Sequence, residues 1–242
     1  RSGFEGPRTV FEGTHGIFKG FASDSIQPDF AHLETFGQEW ISAGLAFKPY
    51  ACGTMTQPFV DCAIRASKQF KLTDVQRIHA HVGEGTVHRL WEPLEEKRRP
   101  STPYGAKFSV PYCIAIGFLD QKAGLQEFTE QQLERQDLKD LTAKIDYSIN
   151  PDDPYPTEYA GWIDVTDNHG QVHSFQQPCM RGGKKEPMSQ SELADKFTNN
   201  LLVAGLQSND VQLAKDSIHH LFYSEQNIRE CLKPLTTIGE KR

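Results

Sequence analysis

Chemistry is concentrated first in Lys48-Pro-Tyr-Ala-Cys52-Gly-Thr54-Met-Thr-Gln57-Pro58, where small polar groups run through a turn into an apolar-periodic segment. Pro49 and Gly53 punctuate an irregular connection, Thr54 and Thr56 offer hydroxyl caps, and Pro58 suits a first helical turn. Val60, Ala63, Ile64, Ala66 and Phe70 give the following helix, expected over 56–70, an apolar stripe. Free N–H groups and the helix dipole at such an N-terminus favour an anion, such as a substrate carboxylate. An ordinary capped surface helix is the plain alternative.

A second such corner lies at Lys107, Ser109 and Tyr112, ahead of the nearly continuous apolar run to Leu119. That run is too long for a typical strand and too short for a bilayer span, so it is expected to be a buried helix with Pro111 in its first turn. A Tyr hydroxyl there can donate or accept a proton, or simply anchor the edge of a core. Between the corners, Arg98 and Arg99 lie in the stretch Glu92 to Pro103, where Pro100 and Pro103 block regular structure, so a loop is expected. Paired arginines on a loop can clamp a carboxylate through forked hydrogen bonds, although mixed-sign runs are more often solvated faces.

These groups need a scaffold. Residues 74–82 alternate apolar and polar with period two, predicting a half-buried strand with His79 and His81 on its polar face. Residues 86–91 suit a helical turn and 129–140 a polar helix. Segments 145–149, 160–166 and 171–176 read as strands, the last two forming a hairpin around Asp167-Asn-His-Gly170. The apolar run 40–47 reads as a further strand, 23–28 as a loop, and Val10 to Phe21 as a short helical segment after the turn at 3–7. Met180 to Lys185 is a flexible basic loop. Ser189-Gln-Ser-Glu192 spells a capping box opening a helix to about Ala204, with two more helices near 211–222 and 227–232. The fold class is α+β.

Composition narrows the partners. The 242 residues are 37% hydrophobic and 24% charged with net charge −6, which fits a globular core and supplies no overall basic field for nucleic acid or anionic membrane. Small molecules are the expected partners, and a soluble intracellular setting is expected. Five scattered cysteines without a C-x-x-C pair, and nine histidines without H-E-x-x-H, predict neither disulfide framework nor metal site.

Several short segments in order carry a resemblance: Gly3-Phe-Glu-Gly-Pro7 with Phe11-Glu-Gly13, Lys48-Pro-Tyr-Ala-Cys52, Tyr104-Gly-Ala-Lys-Phe-Ser-Val-Pro-Tyr-Cys113, Phe118-Leu-Asp120, Arg181-Gly-Gly183 with Pro187-Met-Ser189 and Glu192-Leu193, and Lys196-Phe197. The chain resembles the C-terminal half of the MmgE/PrpD family, which includes 2-methylcitrate dehydratase, cis-aconitate decarboxylase and iminodisuccinate epimerase. The resemblance implies a longer two-domain protein. Residues 1–45 would end the N-terminal part of a helical domain, 46–188 would form an α+β lid, and 189–242 would return to the helical domain. It further implies a homodimer with no cofactor or metal, cytoplasmic or in the mitochondrial matrix, acting on a small polycarboxylate by proton transfer next to a carboxylate. Dehydration, decarboxylation and epimerisation all remain open, as does a non-catalytic fragment.

Carried over residue by residue, the resemblance bears on Gln57 and Tyr112, which become the catalytic candidates; the reading of the two corners and the arginine stretch adds Lys48, Cys52, Thr54, Arg99, Lys107 and Ser109 as the substrate-binding ones. Gln57 stands where the family often has His; it can hydrogen-bond a carboxylate but cannot shuttle a proton near neutral pH. The family's N-terminal Asp, His and Lys motifs have no counterpart here, so the site is expected to be incomplete.

Overall fold

The computed structural model describes residues 9–11, 13, 14, 16–22, 29–225 and 227–240; the expected turn at 3–7 and loop at 23–28 lie outside them. The chain divides into two compact units, 1–44 and 45–242. In the first, two short helices, α1 (Ile17–Phe21) and α2 (Ala31–Glu34), bury no residue, and Phe18 packs against Phe11 and Phe30. The run 40–47 is not a strand: Ile41–Gly44 forms a 3-10 turn and Trp40, Ile41, Leu45 and Phe47 are exposed. A strand needs a neighbour for its N–H and C=O groups. Among the described residues only the Phe47 N–H of this run finds one on another segment, the Gly182 carbonyl at 2.9 Å.

The second unit is built on helix α3 (Gln57–Ser67). Strand β1 (Val75–Val82) follows, then a helical crossover of α4 (Glu84–Leu90), α5 (Leu94–Arg98), α6 (Pro103–Ala106), α7 (Val110–Asp120), α8 (Glu130–Leu133) and α9 (Gln136–Thr142). It returns to β2 (Ile145–Ile149), parallel to β1, because a parallel partner requires a long connection. The hairpin β3 (Gly161–Asp167) and β4 (Val172–Gln177) completes a mixed sheet of order β2-β1-β3-β4. Its turn ends on Gly170 with φ 78°, as the Asn-His-Gly sequence predicts.

Alternation decides what the sheet buries. Ile78, Ala80 and Val82 of β1 and Ile163 and Val165 of β3 are fully buried, while Arg77, His79 and His81 point to the opposite, half-exposed face. Helix α3 packs on β3 and β4 and also against α7. Six residues of α7, Val110 and Tyr112 to Ile116, are at most 2% exposed, which explains why its sequence is apolar on every side. At Gly117 an added Cβ would stand 3.1 Å from the Val60 carbonyl oxygen, so glycine lets α3 and α7 approach closely. Helix α7 starts at Val110 with Pro111 in its first turn, as expected, because Ser109 caps it, and α6 is a separate turn capped by Thr102. Residues 92–103, expected as a loop, contain α5, whose Glu95 and Arg98 pair across one turn.

Helices α10 (Gln190–Val203), α11 (Ser208–Tyr223) and α12 (Ile228–Glu240) end the unit. The predicted capping box is present: the Ser189 hydroxyl accepts from the Glu192 N–H at 3.2 Å, and the Glu192 carboxylate accepts from the Ser189 N–H at 2.8 Å. The fold is α+β. No helix of the described residues is long and apolar enough to cross a membrane.

Candidate functional site

Gln57, the first residue of α3, is fully buried. Its Oε1 accepts from the Tyr50 N–H at 3.1 Å, and its Nε2 donates to the Tyr50 and Cys52 carbonyls at 3.1 and 3.0 Å. The amide therefore closes the turn 50–52 on itself. Thr54 and Thr56 do not cap α3 as expected. Thr56 already lies in the helical region, with φ −87° and ψ −18°, because a 3-10 turn runs straight into the helix, and its hydroxyl donates to the Gly53 carbonyl at 2.8 Å. Pro58 occupies the first turn as predicted.

The second corner meets the first. The Gly53 N–H donates to the Lys107 carbonyl at 2.9 Å. Ser109 is the N-cap of α7, accepting from the Tyr112 N–H at 3.1 Å and donating to the Lys97 carbonyl. The Tyr112 ring packs 5.7 Å from Phe128, its hydroxyl donates to the Glu127 carbonyl at 3.0 Å, and Lys107 Nζ sits 5.9 Å from the Phe128 centroid. Burial first, then the neighbouring Cys113, pushes the Tyr112 phenol well above the usual range. Beneath the turn, a hydrogen bond from Cys113 holds the Cys52 thiol below its ordinary value, whereas complete burial raises that of Cys113.

The cations divide. Arg98 is committed: Nε and Nη2 donate to the Ile145 carbonyl at 3.0 and 2.7 Å, and Nη1 pairs with Glu95 at 2.6 Å. The expected forked pair is therefore reduced to Arg99, which is exposed and lines a cleft of about 310 Å³ with Tyr112, Glu130 and Thr142. Lys48 is exposed on the approach to the turn. Cys52, Thr54, Gln57, Lys107, Ser109 and Tyr112 thus share one corner, Arg99 opens beside Tyr112, and Lys48 stays outside.

A second constellation was not singled out by residue pattern. Tyr50 Oη donates to Asp61 Oδ1 at 2.6 Å, Arg181 Nε donates to the same oxygen at 3.1 Å, and Arg181 Nη2 lies 3.2 Å from Tyr50 Oη. Arg181 Nη1 pairs with Glu192 of α10. Asp61 Oδ2 is buried without a hydrogen-bond partner among the described residues. Burial raises the Asp61 carboxyl above the usual carboxylate range, against the opposing pull of Tyr50 and Arg181. Gly182 explains the Arg-Gly-Gly spelling: at φ 90° an added Cβ would lie 2.0 Å from the Phe47 carbonyl oxygen, so the loop carrying Arg181 requires glycine there. Arg181 and Glu192 stood in the matched motifs, but Asp61 carried no local signal. Tyr50, Arg181 and Glu192 line a cleft of about 690 Å³ with Lys122 and Lys196.

Two motif turns locked together at the N-termini of α3 and α7, on a helix-backed mixed sheet, define an α+β module that presents a polar corner. The chain belongs to the MmgE/PrpD family: residues 50–218 match its C-terminal domain. It is 25% identical over 214 residues to the cis-aconitate decarboxylase of Aspergillus terreus, covering 81% of this chain and 42% of that protein. It is 22% identical over 204 residues to the cis-aconitate decarboxylase of Mus musculus, covering 82% and 41%. The chain spans less than half the length of these curated relatives.

Proposed function

We propose that this chain is the lid portion of a cofactor-independent lyase that transfers a proton next to a carboxylate of a small polycarboxylate, the rest of the site coming from an N-terminal portion. In this reading residues 46–188 are the lid and 189–242 the helices returning to the helical domain. The observation that carries it is the junction of the two motif turns through Gly53 and Lys107 at 2.9 Å. Tyr112 acts as the proton donor: the Glu127 carbonyl holds its hydroxyl, and the residue lines the cleft that Arg99 opens. Lys107 and Arg99 offset carboxylate charge, Cys52 and Thr54 shape the turn, Ser109 caps α7 beneath Tyr112, and Gln57 acts as a positioning residue through the backbone of Tyr50 and Cys52.

Dehydration of a methylcitrate-like acid is the leading reaction; the names of the relatives make decarboxylation of an aconitate-like acid the alternative. A homodimer fits this reading. The test is deuterium uptake next to a carboxylate in heavy water, followed by NMR over a panel of citrate-, methylcitrate-, aconitate- and aspartate-like acids, with this chain and with a version extended to the relatives' length. Conversion by the extended version alone supports the reading. Inactivity of both leaves a polycarboxylate-binding or partner-binding subunit as the function.

A further inference from the structure

The polar face of the sheet holds a relay that the lyase reading does not use. His79 of β1 stands opposite Asp146 of β2, and its Nδ1 lies 2.5 Å from Asp146 Oδ1, while its Nε2 lies 2.9 Å from Ser148 Oγ, two residues along the edge strand. Asp146, which can only accept, lies closer to Nδ1 at 2.5 Å than Arg77 Nη2, which can only donate, at 3.0 Å; the shorter contact favours the tautomer with its proton on Nδ1, leaving the Nε2 lone pair to take the hydrogen bond from Ser148. Asp146 is itself fixed by Arg77, whose Nε and Nη2 reach Oδ2 and Oδ1 at 2.7 and 2.9 Å; Arg77 Nη2 also lies 3.0 Å from His79 Nδ1. On the other side His81 is pinned by Asp164 at 2.8 Å and stacks 4.1 Å from Trp162, walling His79 at a ring separation of 5.1 Å. His79 and Asp146 keep 21% and 32% side-chain exposure, so the relay is reachable from solvent.

We propose that Ser148 is an activated nucleophile, with His79 as its general base and Asp146 as orienter, that accepts acyl or phosphonyl groups from activated esters. Hydroxyl, imidazole and carboxylate in this order are the arrangement that makes a serine nucleophilic, recognised by geometry independently of fold. With an aryl ester, Ser148 Oγ forms a bond to the acyl carbon as its proton passes to His79 Nε2, the bond to the aryloxide breaks, and the aryloxide leaves with that proton as the phenol, restoring neutral His79. Water then attacks the acyl-serine, the neutral imidazole takes its proton and returns it to Ser148 Oγ as the bond between that oxygen and the acyl carbon breaks, and the acid is released. With a fluorophosphonate the P–F bond breaks instead, fluoride leaves and the adduct persists. Asp146 is shared with Arg77, which limits what it gives to the developing imidazolium, so the donors that fit carry good leaving groups.

The experiment is fluorophosphonate labelling of the full chain, with the site and its rate read by peptide mass spectrometry against exposed Ser101 as the internal reference. Ser148 is expected to react at least about tenfold faster than Ser101, and His79→Gln and Asp146→Asn each to lower that rate about tenfold. Because either variant could disturb the sheet, wild-type labelling is also followed in urea: loss of the Ser148 excess on unfolding supports the relay. Equal rates at Ser148 and Ser101 in the native chain, or a Ser148 excess that survives unfolding, would overturn it.

Discussion

Replacing Gln57 by Leu tests what the buried amide does. Leucine keeps the volume but abandons the Tyr50 N–H, the Tyr50 carbonyl and the Cys52 carbonyl, in a turn where Tyr50 and Cys52 are 8% and 5% exposed. A buried polar group left without a partner costs about 1–3 kcal/mol. Three such groups, partly relieved by relaxation of the turn and by added apolar contact, point to a net loss of about 3 kcal/mol. With an m-value of about 2 kcal/mol per molar urea, the unfolding midpoint should fall by about 1.5 M. Thr54→Val, on the same turn but only half-buried, serves as the control and should stay within about 0.5 kcal/mol. Circular dichroism across a urea series reads both variants. An unchanged midpoint for Gln57→Leu would refute the clip and return the amide to direct contact with substrate.

Arg181→Met strips the buried Asp61 of its cation and releases Glu192, which should cost about 3 kcal/mol by thermal or urea unfolding; a loss under 1 kcal/mol would mean that the network adds little. Gly182→Ala forces a Cβ against the Phe47 carbonyl at positive φ, with an expected loss of at least about 1–2 kcal/mol that a midpoint measurement checks. Asp164 is held below the usual carboxylate range because His81, Ser174 and Trp162 outweigh its burial. Its folded form therefore binds fewer protons than the unfolded one near pH 4, so its contribution is present above about pH 4 and lost as pH falls through the folded value. Acid unfolding of Asp164→Asn should accordingly show a flatter loss in that window, and an unchanged slope would contradict the assignment. Asp61 has the opposite sign: its raised folded pKa makes stability fall as pH rises through it.

Local signals made much of this fold legible. Period-two alternation located β1, the Asn-His-Gly turn located the β3–β4 hairpin, and the Ser189–Glu192 box marked the start of α10, because in each case the deciding interactions lie within a few residues. The run 40–47 misled because apolar residues make a strand only beside another strand, and backbone pairing is not local. Pro100 and Pro103 suggested a loop over 92–103, yet the Glu95–Arg98 pair and the bonds from Arg98 to the Ile145 carbonyl fix a helix just ahead of them. At the candidate site, the motif turns were visible as short spellings, while their junction through Gly53 and Lys107 spans 54 positions of chain. Asp61 lay hidden because its partner Arg181 is 120 residues away, and nothing in the neighbourhood of either residue announces the other.

The most direct test of the proposed chemistry is solvent deuterium exchange next to a carboxylate by a version of the protein extended to the relatives' length, compared with its Tyr112→Phe variant. The phenylalanine loses one hydrogen bond to Glu127, worth about 1 kcal/mol of stability. A proton donor contributes about 10²- to 10⁴-fold to rate. Exchange reduced by at least about a hundredfold in a folded variant is the predicted result, and exchange at the wild-type rate would contradict the role given to Tyr112 and the lyase reading of this corner.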